Sequence, residues 1–181
     1  MKKLVTVCSI MTVLMMLKIN DIQKQPVPNR IVTSQPTEVE KFMYHMAQRE
    51  SDNTAHVVNQ FGMLGKYQFS PTTIKMLGFN ISNAKFLNNP KLQDSVMIAN
   101  LRLNNQELNS IIKKYEGKLV KGIKITRAGI LAAAHLAGPA HVMKFFANAN
   151  DAIGLQDANG TSVRDYLQLF AKHNIKNEHL L

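Results

Sequence analysis

The stretch Arg49-Glu-Ser-Asp-Asn53 and, nine positions later, Gly62-Met-Leu-Gly-Lys-Tyr-Gln-Phe69 indicates the fold class of this chain. It places a carboxylate, Glu50, at the end of an amphipathic segment, and a glycine-rich turn carrying Gln68 follows eighteen residues later. Taken alone, a glutamate at a helix end is most often an exposed carboxylate. The motifs that follow it along the chain, given below, make Glu50 the leading catalytic candidate.

The segment before Glu50 has the pattern of a helix. Thr37-x-x-Glu40 matches a capping box, in which each side chain bonds the other residue's backbone N–H. The apolar residues that follow recur at helical spacing: Val39, Phe42, Met43 and Met46. We expect a helix over 38–48 with Glu50 near its C-terminal end.

The rest of the sequence contains mostly helical signals. Residues 53–69 alternate weakly around Ala55–Val58 and Tyr67–Phe69, which predicts a small β-hairpin there. Helix starts are predicted at Ser70-Pro71, at Asn89-Pro90 with a helix to Tyr115, at Thr126, at Pro139 and at Thr161. The predicted fold class is α+β, predominantly helical, with one small hairpin.

The N-terminus predicts export. Met1-Lys-Lys and the apolar run Leu4–Leu17 have the layout of a signal peptide, although no small-x-small cleavage site follows, so an uncleaved anchor stays open. The expected organisation is a signal peptide or anchor over 1–19, a proline-containing linker over 20–36 and one domain over 37–181. We expect a periplasmic or secreted protein that meets the membrane only through its N-terminal segment.

The net charge and the single cysteine limit the classes of partner and of catalytic chemistry that we expect. Cys8 is the only cysteine and lies in the targeting segment, so the predicted domain has no disulfide and no thiol nucleophile. The formal charge is +10, of which residues 1–30 carry +4 (five basic residues and Asp21) and residues 31–181 the other +6. This charge suits an anionic polymer such as peptidoglycan. Nucleic acid is not expected, because the basic residues are scattered and no binding motif appears.

Four motifs in order resemble those of lytic transglycosylases and G-type lysozymes. Glu50-Ser51 is similar to the family's Glu-Ser pair, and Gly65-Lys-Tyr-Gln68 to its Gly-Leu-Met-Gln turn. Ala134-His-Leu-Ala-Gly138 stands where the family has Ala-Tyr-Asn-Ala-Gly, and Tyr166 where it has a late cleft tyrosine. The resemblance implies a lysozyme-like fold that cuts peptidoglycan glycan strands, with Glu50 as the catalytic acid.

The resemblance also implies a set of substrate-binding residues. Tyr67 and Gln68 would line the cleft, and Ser51 would orient Glu50 unless it is simply a helix-end serine. His135 would stack on or donate to a sugar, or else pack within its helix. Leu136 replaces the asparagine that holds the substrate's N-acetyl group in the family. The full expected set is Ser51, Tyr67, Gln68, His135 and Tyr166.

Glycosidases usually use two carboxylates, and no second one stands out here. Asp52, Asp157 and Asp165 are the acids considered, and none is an obvious partner for Glu50. The transglycosylase route is therefore favoured, in which the resemblance implies help from the substrate's own N-acetyl group and no metal or cofactor is expected. The expected partners are glycan strands and, as a candidate, a larger envelope assembly. A non-catalytic glycan-binding scaffold and a hydrolytic lysozyme remain the alternatives.

Overall fold

The computed structural model describes residues 35–148, 156 and 160–180. Residues Pro36–Leu181 form one compact unit. The predicted signal or anchor segment, 1–19, lies outside the described residues, as does the predicted linker over 20–36 apart from its last two residues.

The described residues form eight α-helices, one 3-10 helix and a two-stranded antiparallel sheet, which confirms the predicted α+β, predominantly helical class. In chain order they are α1 (Glu38–Ser51), α2 (Pro71–Met76), α3 (Asn83–Leu87), α4 (Pro90–Glu107), α5 (Asn109–Tyr115), β1 (Leu119–Val120), β2 (Ile123–Lys124), α6 (Arg127–Ala137), α7 (Pro139–Ala147), α8 (Val163–Leu169) and the 3-10 helix Asn177–Leu180.

Local capping signals set most helix starts. The capping box of Thr37 and Glu40 opens α1, and the side chains of Ser70, Asn89 and Thr126 each accept a hydrogen bond from a first-turn backbone N–H. The predicted starts of α2, α4, α6 and α7 are confirmed. Helix α1 runs to Ser51, a few residues past the expected end, because Asp52 is the first residue to leave the helical region.

Three predictions about local structure were wrong. The two-stranded sheet lies at 119–124, whereas residues 53–69 hold only single bridges, from Leu64 to Val58 and to Phe69. The helix expected to reach Tyr115 breaks at Leu108, which is fully buried at the junction of α4 and α5. Helix α8 is capped by Ser162 rather than Thr161, because Ser162 forms a reciprocal capping box with Asp165.

Helix α6 is the centre of the core. Its residues from Ala128 to Ala134 are all buried, and it packs against α4, α7 and α8. A helix that is apolar on every side is stable only inside a domain, so the composition of α6 accounts for its place. Among the described residues no single helix has the length and hydropathy to cross a membrane; α6 and α7 pass that test only as a pair bent by 118°.

Helices α6 and α8 approach each other closely at Gly129. A β-carbon added at Gly129 of α6 would lie 2.6 Å from the backbone oxygen of Leu167 in α8. Glycine is thus needed at this crossing for space rather than for its backbone conformation. The contact matters for the site below, because α8 also carries Tyr166.

We expect Gly129→Ala to destabilise the domain. Alanine is the better helix former by about 1 kcal/mol, but the added methyl meets backbone that cannot move without shifting α8, and such overpacking costs roughly 1–3 kcal/mol. Ala140→Ser, a one-atom addition at an exposed position of α7, is the control. Urea denaturation of both variants measures the difference, and an unchanged or raised stability for Gly129→Ala would refute the tight crossing.

A pair of histidines joins α1 to the C-terminal segment. Nδ1 of His45 lies 2.9 Å from Nε2 of His173, and the buried His173 ring stacks on Phe170 and meets the edge of Phe42. Burial, reinforced by the neighbouring His45 and Lys172, lowers the pKa of His173 below its ordinary value of 6.5.

This shift predicts a pH-dependent stability. Below about pH 6.5 the unfolded chain binds a proton at His173 more readily than the folded one does, so the free energy of unfolding should fall as pH decreases and be fully recovered above that value. His173→Phe should flatten this part of the profile, and His56→Gln, at an exposed histidine, should leave it unchanged. Equal pH slopes for the parent and His173→Phe, measured by urea denaturation, would contradict the assignment.

Candidate active site

The domain has a cleft of about 630 Å³. Its lining residues come from the 59–70 segment and α2, from α4, and from the end of α6 and the start of α7. Glu50, at the end of α1, opens into it. The volume falls within the range of small-molecule and oligomer binding sites.

Glu50 is half-buried, and a hydrogen bond from one neighbouring side chain fixes its carboxylate. The hydroxyl of Tyr166 donates a hydrogen bond to one carboxylate oxygen of Glu50, while the other oxygen has no hydrogen bond within the described residues. Tyr166 itself is 3% exposed and packs against Phe170. One carboxylate oxygen is therefore fixed by the protein, and Glu50 is a lining residue of the cleft.

Gln68 reaches the cleft from a tight turn. Its φ is +50°, a left-handed conformation that costs a non-glycine residue roughly 1–2 kcal/mol. Its side-chain amide donates to the carbonyl of Gly65 at 2.8 Å and stabilises the turn. Strain of this kind persists where surrounding packing imposes it, which is common at functional sites.

The turn is held in place by Gln93 of α4. Gln93 is completely buried, accepts a hydrogen bond from the backbone N–H of Lys66 at 2.8 Å, and donates to the carbonyls of Ala55 and Phe86. A β-carbon at Gly65 would lie 2.7 Å from Cδ of Gln93, and the φ of Gly65 is +71°. Glycine is required here both for the close approach and for the turn.

His135 lines the cleft and is also part of its framework. Nε2 lies 2.8 Å from the carbonyl oxygen of Tyr67, and Nδ1 lies 3.3 Å from the side-chain oxygen of Asn100. The edge of its ring meets Phe69 with centroids 4.9 Å apart. His135 thus ties α6 to both the 65–69 turn and α4.

Three of the expected substrate-binding residues do not line the cleft, and the first two are Tyr67 and Ser51. Tyr67 is 2% exposed and its hydroxyl donates to Asp94 at 2.6 Å, so the expectation that it lines the cleft is wrong. Burial, and then the Asp94 carboxylate, raise the pKa of this phenol. The hydroxyl of Ser51 donates to the carbonyl of Lys66 at 2.9 Å rather than to Glu50, so Ser51 anchors α1 to the turn.

Tyr166 also differs from its expected role. It does not line the main cleft, and its ring instead borders a smaller pocket with Arg49 and Asp165. Its hydroxyl nevertheless reaches the acid. The structure therefore brings together Glu50, Gln68, His135 and Leu136 as cleft residues, with Tyr166 behind Glu50.

Helix α4 contributes cleft residues that the motifs did not indicate. They recur at i, i+3, i+4 and i+7 along one face: Asn100, Leu103, Asn104 and Glu107. Asn104 donates to Asn100 at 3.1 Å, and both are buried. Asparagines at core spacing in a helix are the signal that would have identified this face, because an amide is rarely buried without a partner.

Glu107 is the second carboxylate of the cleft. It is exposed and forms no hydrogen bond or ion pair with the described residues. Two of the three other acids that the sequence offers as partners, Asp52 and Asp165, lie outside this cleft. Asp52 is exposed, and hydrogen bonds from Ser162 lower the pKa of the Asp165 carboxyl group. Asp157 lies outside the described residues.

The cleft has no cationic arginine or lysine among its described lining residues, although the whole chain has 22 of them. Its ionisable side chains are Glu50, Glu107 and His135. Within 35–148, 156 and 160–180, no group of three histidine, cysteine or acidic side chains is arranged to hold a metal ion. The lining is a mixture of amides, hydroxyls and apolar groups, which suits a neutral, hydroxyl-rich ligand better than a polyanion.

These features define a mostly helical α+β domain with a cleft of about 630 Å³ and a half-buried glutamate that accepts a hydrogen bond from a buried tyrosine. No protein-family model, curated protein or solved structure matches the chain.

Leu136 lies in the cleft wall, half-buried against the core. We expect Leu136→Asn to lower the free energy of unfolding by less than about 1 kcal/mol, because its amide can reach water in the cleft. Leu131→Asn on the same helix is the control, since a fully buried amide without partners costs about 1–3 kcal/mol on top of the lost packing. Equal losses for the two variants in urea denaturation would mean that Leu136 does not face the cleft.

Proposed function

We propose that the protein cleaves the glycan strands of peptidoglycan as a lytic transglycosylase, with Glu50 as the catalytic residue. The observation that carries this proposal is the carboxylate of Glu50, half-buried in a cleft and held on one side by Tyr166. Partial burial and a fixed orientation are what a carboxyl group needs to give a proton to a glycosidic oxygen. The order of motifs along the chain supports the same class.

The proposed reaction uses one protein carboxyl group twice. Glu50 gives its proton to the glycosidic oxygen, the C1–O bond breaks, and the acetamido oxygen of the same sugar stabilises the positive charge at C1. Glu50, now a carboxylate, takes the proton of the muramoyl 6-hydroxyl as that oxygen bonds to C1. A 1,6-anhydro ring forms, Glu50 is protonated again, and no water is consumed.

The lining of the cleft supports a glycan as the ligand. The amides of Gln68, Asn100 and Asn104 can bond hydroxyl and acetamido groups, and the absence of arginine and lysine from the described lining disfavours phosphate-rich polymers. The arginines and lysines of the described residues lie outside the cleft, where they would favour adsorption to the anionic wall. The same proposal includes export of the protein and action in the periplasm or outside the cell. There it would serve an envelope assembly.

One observation favours a hydrolytic lysozyme as the second candidate. Glu107 lies in the same cleft as Glu50 with no protein partner among the described residues, and inverting glycosidases use a second carboxylate to activate water. In that case the product would carry a reducing muramoyl end. The isosteric change of each acid to glutamine separates the two routes.

We expect Glu50→Gln to reduce glycan cleavage by about 10²–10⁴-fold with an unchanged melting temperature, because the amide has the shape of the acid but cannot supply a proton. The measurement is mass spectrometry of muropeptides released from purified sacculi by the full-length protein. Glu107→Gln is the matched variant, and anhydro ends should persist with it.

Three other outcomes are informative. Reducing ends that disappear with Glu107→Gln would establish the hydrolase. Undiminished cleavage by Glu50→Gln would remove Glu50 from the mechanism. No release by the parent protein, with retained glycan binding, would establish a non-catalytic binding protein.

A further inference from the structure

An exposed aromatic ring stands at the edge of the cleft. Phe61 is 53% exposed and lines the same cleft as Glu50. Met76, which is 64% exposed, and Met63 line it too. The described residues contain one other exposed aromatic ring of similar exposure, Tyr44 at 54%, and it lies outside the cleft. Large apolar side chains that are exposed in a cleft indicate a place where a bound ligand covers them.

The backbone around Phe61 is held by one side chain. The side-chain oxygen of Asn59 accepts hydrogen bonds from the backbone N–H groups of Phe61, at 2.8 Å, and Met63, at 3.0 Å. The backbone of Asn59 also bonds Gly62 and Met63. The ring is therefore presented from a fixed turn, which reduces the entropy lost when a ligand packs on it.

The rest of the cleft defines the ligand class. Phe61 offers a flat π-face, while Gln68, Asn100 and Asn104 offer amide donors and acceptors in the same cleft. A pyranose ring has matching chemistry, with C–H groups on its faces that pack on an aromatic ring and hydroxyl or acetamido groups around its edge. A peptide helix would need a continuous apolar groove instead, and the buried amides of α4 interrupt it.

We propose that Phe61 is the stacking residue of a sugar subsite, which binds an N-acetylhexosamine unit of a β-1,4-linked glycan away from the bond that is cut. Phe61 contributes to affinity and positioning and takes no part in the proton transfers of Glu50. Met76 and Met63 extend the apolar surface beside it. The identity of the polymer rests on the proposed function, whereas the stacking role is tested by binding alone.

The test measures binding in the absence of cleavage. The full-length protein carrying Glu50→Gln is titrated calorimetrically with a hexamer of β-1,4-linked N-acetylglucosamine, alone and with each of three further changes. Phe61→Ala should weaken binding about tenfold, equivalent to about 1.4 kcal/mol, with little change in melting temperature. Phe61→Tyr should restore it, because the π-face is kept. Tyr44→Ala, a truncation of an equally exposed ring outside the cleft, should leave binding unchanged.

Each result decides the inference. Equal affinity of Phe61→Ala and the parent, an equal loss with Tyr44→Ala, or no oligosaccharide binding by the parent would overturn it. A dimer that dissociates on Phe61→Ala would also overturn it, since the ring would then be covered by a second copy. Binding that depends on Phe61 without any cleavage of sacculi would support the subsite while refuting the lytic function. Cleavage that needs Glu50 but not Phe61 would support the lytic function while refuting the subsite.

Discussion

The buried amide of Gln93 is the constraint on which the cleft depends. It satisfies the backbone N–H of Lys66 and the carbonyls of Ala55 and Phe86, groups that belong to three separate segments. Each of these groups would cost about 1–3 kcal/mol if it were left buried without a partner. Gly65 is where it is because only a residue without a side chain can lie against that amide. The same turn also contains the positive φ of Gln68, and the hydroxyl of Ser51 donates a hydrogen bond to its Lys66 carbonyl.

Local sequence predicted the helices because their starting signals are local. A capping box, a serine or asparagine before proline, and a glycine before proline each act within one turn, so Thr37, Ser70, Asn89 and Gly138-Pro139 could be located without knowledge of the fold. The hairpin could not be placed in the same way. The backbone of 53–69 forms short turns and single bridges within the segment, and Gln93, from a distant helix, bonds two of its remaining backbone groups.

The order of motifs along the chain located some of the cleft residues. It did not locate those whose position depends on how distant segments pack. Glu50, Gln68, His135 and Leu136 fall in the cleft because the helix end, the turn and α6 meet there. Tyr67 lies one residue from Gln68 and faces the opposite way, toward Asp94, which sequence spacing alone does not reveal. The contributions of Asn100, Asn104 and Glu107 require the approach of α4 to α6, a contact between distant segments.

The separation of charge between the cleft and the rest of the domain has a consequence for how the protein would respond to ionic strength. Interactions of exposed lysines and arginines with an anionic polymer are screened over about 8 Å at physiological salt, whereas amide hydrogen bonds and ring contacts inside a cleft are nearly insensitive to salt. Under the proposed function, attachment to a charged surface and occupation of the cleft would thus differ in their dependence on salt. A change in the surrounding electrolyte would then alter how long the protein stays on the wall more than it alters which glycan the cleft binds.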